Sequence, residues 1–218
     1  MGTTLITPVG DGLTADLVAA LRRAGADASG VRTAHATREE ARAAFQEHAD
    51  VQAVVHVCGD RRATVAAPLL DTDPTDWDAR GERLVREALI TLQAAHDTFT
   101  DAAGGGGRIV IVTATAGISG AGALVPYLTA VEGVRALAKS AARQWGDRGL
   151  TVNTVLVPLE MIDPDAGPLV SFLSPAARGR PPTLLDDVAS AVAWLAGPTG
   201  THVTGATLVV DGGSVMAP

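Results

Sequence analysis

The sequence holds one cysteine, one tyrosine and a single lysine among its 17 basic residues. The lone Cys58 has no partner for an internal disulfide and no second cysteine for a structural zinc site. No basic run stands out, and 17 basic against 24 acidic residues leave a net charge of −7. That balance argues against a phosphate-tracking surface, so nucleic acid is not an expected partner. Long apolar runs are missing too: 24 glycines and 12 prolines interrupt a hydrophobic content of 47%, and no membrane span is expected. The opening segment enters an apolar strand, Thr3-Thr-Leu-Ile-Thr7, without the basic stretch and longer apolar core of a secretory signal, so the expected location is cytoplasmic. Repeats and low-complexity tracts are absent. At 218 residues, one domain over 1–218 with a single substantial core is expected.

What is present alternates between strand and helix patterns. Leu13, Leu17, Val18 and Leu21 share one face of a helix from 13 to about 24. A short strand is expected within 28–34. Thr37-Arg-Glu-Glu40 forms a capping box that starts a helix running to about Asp50. Val51 to Val57 reads as a buried strand. Asp73-Pro-Thr-Asp-Trp77 opens a helix over 76–100, capped by Thr75 or Asp73. Four glycines, Gly104 to Gly107, precede a strand rather than a helix and read as a flexible linker instead of a phosphate cradle. Then come an apolar strand from Arg108, a long alanine-rich helix over 125–145 and a strand at 150–157. A Pro/Gly/Ser-rich loop follows at 160–182, then a helix over 186–196 stopped by Gly197-Pro198, and a last strand ahead of Gly212-Gly213. This order predicts a doubly wound, Rossmann-like three-layer α/β fold with a mainly parallel sheet of about six strands.

The stretch Arg108-Ile-Val-Ile-Val-Thr-Ala-Thr-Ala-Gly117, followed by Tyr127-Leu-Thr-Ala-Val131, resembles the active-site unit of short-chain dehydrogenases/reductases. The segment Thr204-Gly-Ala-Thr-Leu-Val-Val-Asp-Gly-Gly213 resembles their acyl-carrier-protein ketoreductase branch. The family signature is a serine and, thirteen residues on, Tyr-x-x-x-Lys. Here those places hold Ala114, Tyr127 and Val131, and the family's tetrad asparagine is Leu84. The phosphate-binding glycine turn of the family falls at Thr7-Pro-Val-Gly-Asp-Gly-Leu-Thr14. Pro8 and Thr14 replace two of its glycines, Gly12 stays in register, Gly10 is an extra glycine and Asp11 adds a negative charge. His56-Val-Cys-Gly59 stands for Asn-Asn-Ala-Gly, and Pro158 displaces the Pro-Gly that lines the nicotinamide pocket. Only about one strand and one helix fit between the first helix and Val51. The missing unit is the one whose strand end contacts the adenosine ribose in the family.

The resemblance implies that the tyrosine protonates a carbonyl while the lysine lowers its pKa and holds the cofactor ribose. Lys139 is no substitute, since twelve residues along a helix span roughly 18 Å, and Arg135 is about 12 Å along by the same rise. Cys58 reads as a small buried hydrophobe, and His56 as a histidine bonded to backbone. The leading expectation is a catalytically inactive ketoreductase-like subunit, with no cofactor or a degenerate NADPH site at Gly10 and Gly12. It would pair with a homo- or hetero-oligomeric partner of the same family through helices 76–100 and 125–145. Two alternatives stand beside it: a cofactor-independent lyase, isomerase or cyclase with Tyr127 as general acid, marked by a pocket lined by Tyr127, and an atypical NAD(P)H-dependent reductase.

Overall fold

The structure is a computed structural model that describes residues 2–8, 12–33, 36–101 and 106–216. Six parallel strands form one sheet in the order β2-β1-β3-β4-β5-β6. These are β1 (Thr3–Thr7), β2 (Ala28–Gly30), β3 (Val51–Val57), β4 (Gly107–Ala114), β5 (Leu150–Val157) and β6 (Thr207–Val209). The central strands are runs of valine, isoleucine and leucine because helices cover both faces, and side chains pointing either way must be apolar. All eight residues of β5 are buried. Its one amide, Asn153, is satisfied: Nδ2 donates to the Val203 carbonyl at 2.7 Å and Oδ1 accepts from the Ala206 N–H at 3.1 Å. That pairing holds the approach to the edge strand β6.

The helices are α1 (Leu13–Arg23), α2 (Arg38–Gln46), α3 (Pro74–Trp77), α4 (Arg83–Asp101), α5 (Ala116–Ser119), α6 (Val125–Trp145), α7 (Leu159–Ile162) and α8 (Ala189–Ala196). One face of the sheet carries α1 and α8; the other carries α2, α4 and α6, with α4 packed between its two neighbours. The expected sheet of about six strands, one strand-helix unit short, is therefore present. Among the described residues β2 is the outer strand beside β1.

Several boundaries differ from the sequence reading. The helix expected over 76–100 is three pieces: α3, a π-helical turn at Asp78–Glu82, and α4. The wide turn lies on the start of α6, where a Cβ on Gly81 would come within 3.0 Å of the Pro126 carbonyl oxygen. Asp73, not Thr75, is the cap, its Oδ1 accepting from the Asp76 N–H at 2.8 Å. The capping box is as expected, Thr37 and Glu40 exchanging backbone bonds, but α2 stops at Gln46. Strand β2 is only three residues, pairing with Thr4–Ile6. Residues Leu184–Val188 form a second π-helical turn that accounts for the early start before α8, with Thr183 Oγ1 accepting from the Asp186 N–H. Of the glycine run, Gly104 and Gly105 lie outside the described residues. Gly107 rests flat against the Phe99 ring where no Cβ fits, so this glycine is required by packing.

Candidate functional site

In doubly wound sheets ligands bind outside the C-terminal strand ends, where strand order reverses. That place lies here between β1 and β3, with β4 and β5 alongside. Backbone bonds tie the strand ends together past the sheet: Cys58 N–H to the Val112 carbonyl and Thr115 N–H to the Val157 carbonyl, both 2.8 Å. Tyr127 enters from the first turn of α6.

Tyr127 is fully buried, with 0% exposure. Its ring packs on Gly59, which has φ +129°; a Cβ there would lie 2.9 Å from Tyr127 Cε2 and 3.2 Å from Ile162 Cγ2. Glycine at 59 thus serves both the backbone angle and the close approach of the ring. The hydroxyl donates to the Cys58 carbonyl oxygen at a long 3.5 Å. Burial, with the Cys58 thiol beside it, pushes the Tyr127 pKa well above the ordinary tyrosine range, and the Thr113 hydroxyl offsets only part of that. An acid so placed keeps its proton.

The positions around it are apolar and closed. Ala114 and Val131 are each 0% exposed, and Leu84 is buried. Gly117 of α5 lies on Val131: a Cβ at 117 would be 2.9 Å from Val131 Cγ2. Lys139 is exposed along α6. Arg135 is held by Glu132 at 2.7 and 2.5 Å, so neither cation is available to the tyrosine.

A second closure crosses the cleft. Asp163, just after α7, is buried. It accepts from Thr64 Oγ1 at 2.5 Å and from the Asp165 N–H at 3.1 Å, while Arg61 lies 3.8 Å from Asp163 and 3.2 Å from Asp165. This latch joins the loop after β3 to the segment after β5 and sets Ile162 over Gly59. Nearby, Arg83 joins Asp60 at 3.1 Å to Glu87 at 3.2 Å. Sequence reasoning found neither cluster, because their members are 99 and 23 residues apart and follow no motif.

His56 is buried and accepts or donates through Nδ1 to the Thr91 hydroxyl at 3.1 Å, a side-chain partner rather than the expected backbone one. Burial lowers its pKa from 6.5 to about 4, so the ring is neutral at physiological pH. Burial raises the Cys58 thiol to about 12, with the Glu87 carboxylate adding to the effect. The structure thus brings Tyr127, Cys58, Ala114 and Val131 into one dry cluster. Gly12, at the N-terminus of α1 with φ +83°, has a glycine-type backbone; Thr14 beside it is buried. Gly10 and Asp11 lie outside the described residues.

A cavity of about 630 Å3 opens between α7, residues 170–182 and the turn after β6, and Tyr127 is not among its lining residues. Among the described residues no group of three His, Cys, Asp or Glu side chains is placed to hold a metal ion. None of the described helices is long and apolar enough to cross a membrane.

A family model described as enoyl-(acyl carrier protein) reductase matches residues 5–215. The chain is 35% identical over 121 residues to an A-factor type gamma-butyrolactone 1'-reductase of Streptomyces virginiae, covering 51% of this chain and 46% of that protein. It is also 35% identical over 115 residues to a 3-oxoacyl-(acyl-carrier-protein) reductase of Synechocystis, covering 50% and 45%. The matched stretch thus spans about half the length of these curated relatives. Levodione reductase superposes with a TM-score of 0.78 at 17% identity over 97% of this chain and 96% of that one, a likeness of fold.

Proposed function

The chain belongs to the short-chain dehydrogenase/reductase superfamily, and we propose that within it the protein is a non-catalytic, ketoreductase-like subunit that pairs with a reductase of the same fold. Members of the family normally bind NAD(P)H. The observation that carries the proposal is the complete enclosure of Tyr127 between Gly59 and Ile162, with Ala114 and Val131 filling the places of the donor and the cation.

Carbonyl reduction needs a hydroxyl that touches substrate, a second donor on the carbonyl, and a cation that holds the ribose and lowers the tyrosine pKa. None of the residues at those places supplies the last two, and the first faces no space. Losing one positioned donor commonly costs ~3 kcal/mol of barrier. The close approach of both Ile162 and the Tyr127 ring to Gly59 supports a centre without a bound nicotinamide. The sheet also ends at β2, with no described strand beyond it for the adenosine side. The same enclosure speaks against Tyr127 as the acid of a cofactor-free lyase or isomerase, as does a cavity that leaves Tyr127 out.

The association half of the proposal rests on α4 and α6. They lie side by side, with Gly133 of α6 against Val85 of α4, and at 19 and 21 residues each is roughly 30 Å long. Leu89 is 40% exposed on α4, and Thr129, Ala136 and Ser140 are exposed on α6. A matching helix pair from a second chain would cover these small and apolar residues with close backbone approach. Co-expression with ketoreductase-like chains of the same genome, followed by size-exclusion chromatography, tests this. A stable complex lost in Leu89→Glu/Ala136→Glu, with circular dichroism unchanged, is expected; a monomer that binds none of those chains refutes it.

A further inference from the structure

At the end of the sheet opposite to Tyr127 lies a pocket that the proposed function leaves unused. It sits at the N-terminal ends of β3, β4 and β5, beside the turn that closes α8, and has a volume of about 450 Å3, within the range of small-molecule sites. Two glycine turns meet in it. Gly106 and Gly149 have φ +82° and +75°, and a Cβ on Gly106 would lie 3.1 Å from the Gly149 carbonyl oxygen. The two backbones therefore touch directly, and only glycine gives both the angle and the approach. Ala196 and Pro198 after α8, with Gln52 of β3, complete the lining.

Two arginines belong to this lining, and no acidic residue does. In a chain of 24 acidic and 17 basic residues the local balance is thus reversed. Arg108, at the start of β4, is fastened to the glycine turns: Nη1 donates to the Gly107 carbonyl at 3.1 Å and to the Gly149 carbonyl at 3.3 Å. Its Nε is buried without a partner. The guanidinium is therefore partly withdrawn from water, where an arriving anion interacts more strongly than at an open surface. Arg148, next to Gly149, is held from α4. His96 turns Nδ1 to Asp97 at 3.3 Å, and its Nε2 accepts from Arg148 Nη1 at 3.1 Å; the same imidazole rests on Trp145, with ring centroids 4.8 Å apart. Nη2 of each arginine has no partner among the described residues. Neither arginine forms an ion pair among them, whereas Arg38, Arg83 and Arg135 are each held by a carboxylate. Two positive charges are thus anchored about the turn at Gly149 with donors to spare.

We propose that this pocket binds a small oxyanion of the phosphate class, held between Arg108 and Arg148. Arginine suits that role because its planar fork presents paired N–H donors to neighbouring anionic oxygens. The site goes beyond the partner-subunit reading, and none of its lining residues lies on the α4 and α6 surface, so either can fail alone. Isothermal titration with inorganic phosphate, against sodium chloride of equal ionic strength, tests it. One saturable site per chain is expected. Arg148→Gln, on an exposed turn, and Gln52→Glu, which adds a negative charge at nearly constant shape, should each weaken phosphate by about tenfold while circular dichroism stays unchanged. Arg108→Gln should do the same; because it also removes two bonds to backbone, the first two variants decide the matter should it misfold. Arg143→Gln, which takes a charge from an exposed position of α6 outside the lining, should leave phosphate binding as it is. Heats no different from those of chloride overturn the site. So does phosphate binding that is unchanged in Arg148→Gln and Gln52→Glu, or weakened equally in Arg143→Gln.

Discussion

Placing the family's lysine back into this centre should destabilise the protein and leave it inactive. Val131 has no exposure, and Gly117 rests on its Cγ2 at the 2.9 Å a Cβ would reach. A lysine stem there overpacks the contact between α5 and α6, for which ~2 kcal/mol is a central expectation. Its amine enters a dry cluster, and the Glu132 carboxylate beside Gly117 is already held by Arg135, adding about 2 kcal/mol more for an uncompensated polar group. At 2–4 °C per kcal/mol for a chain of this size, Val131→Lys should melt roughly 8–16 °C below the wild type. The neutral amine is favoured in the fold and the protonated one in the unfolded chain. The unfolded state therefore binds the extra proton, and the deficit is fully present at neutral pH and shrinks as pH rises towards ~10. Val131→Ile, which adds one methylene and no charge, should show no such pH dependence. Thermal unfolding by circular dichroism between pH 6 and 10 reads all of this. A Val131→Lys protein with wild-type melting, or an Ala114→Ser/Val131→Lys protein that oxidises NADPH in the presence of a ketone, would refute the reasoning.

Other outcomes follow from the same geometry. His56 should make the protein less stable by about 3 kcal/mol as pH falls from about 6.5 to 4, because the unfolded chain takes up a proton that the buried ring refuses until about 4; in His56→Gln that slope of unfolding free energy against pH should vanish. Cys58, buried with its thiol near 12, should resist a thiol reagent at pH 8 in the native protein and react at once in denaturant; native-state labelling at the rate of a free thiol would contradict its burial. Asp163→Asn removes the charged acceptor shared by Thr64 and Asp165 and should cost about 1–3 kcal/mol. Limited proteolysis within 160–182 should speed up with it, and unchanged cleavage rules out the latch. Gly59→Ala forces a Cβ against Tyr127 at φ +129° and should lower the melting temperature more than Tyr127→Phe does.

The fold was legible because its signals are local and repeated. Val51–Val57, Arg108–Ala114 and Leu150–Val157 are strand runs that only a sheet covered on both faces needs, and Thr37 with Glu40 marks its helix without help from tertiary structure. The shortened first half, and with it the narrower sheet, followed from counting residues before Val51. Ala114, Val131 and Leu84 could be located by register alone. Their burial, and the enclosure of Tyr127, could not: Val131 is covered by Gly117 and Tyr127 by Gly59 and Ile162, contacts between elements that follow no motif. The π-helical turn at Asp78–Glu82 escaped because its cause is the approach of Gly81 to Pro126, a contact between elements.

The proposed non-catalytic role stands or falls on whether the centre around Tyr127 takes up nicotinamide. Titration of the protein with NADPH, followed by the enhancement of nicotinamide fluorescence, tests it most directly. The account predicts a signal that stays at the level of free NADPH through millimolar protein; saturable binding in the micromolar range would contradict it.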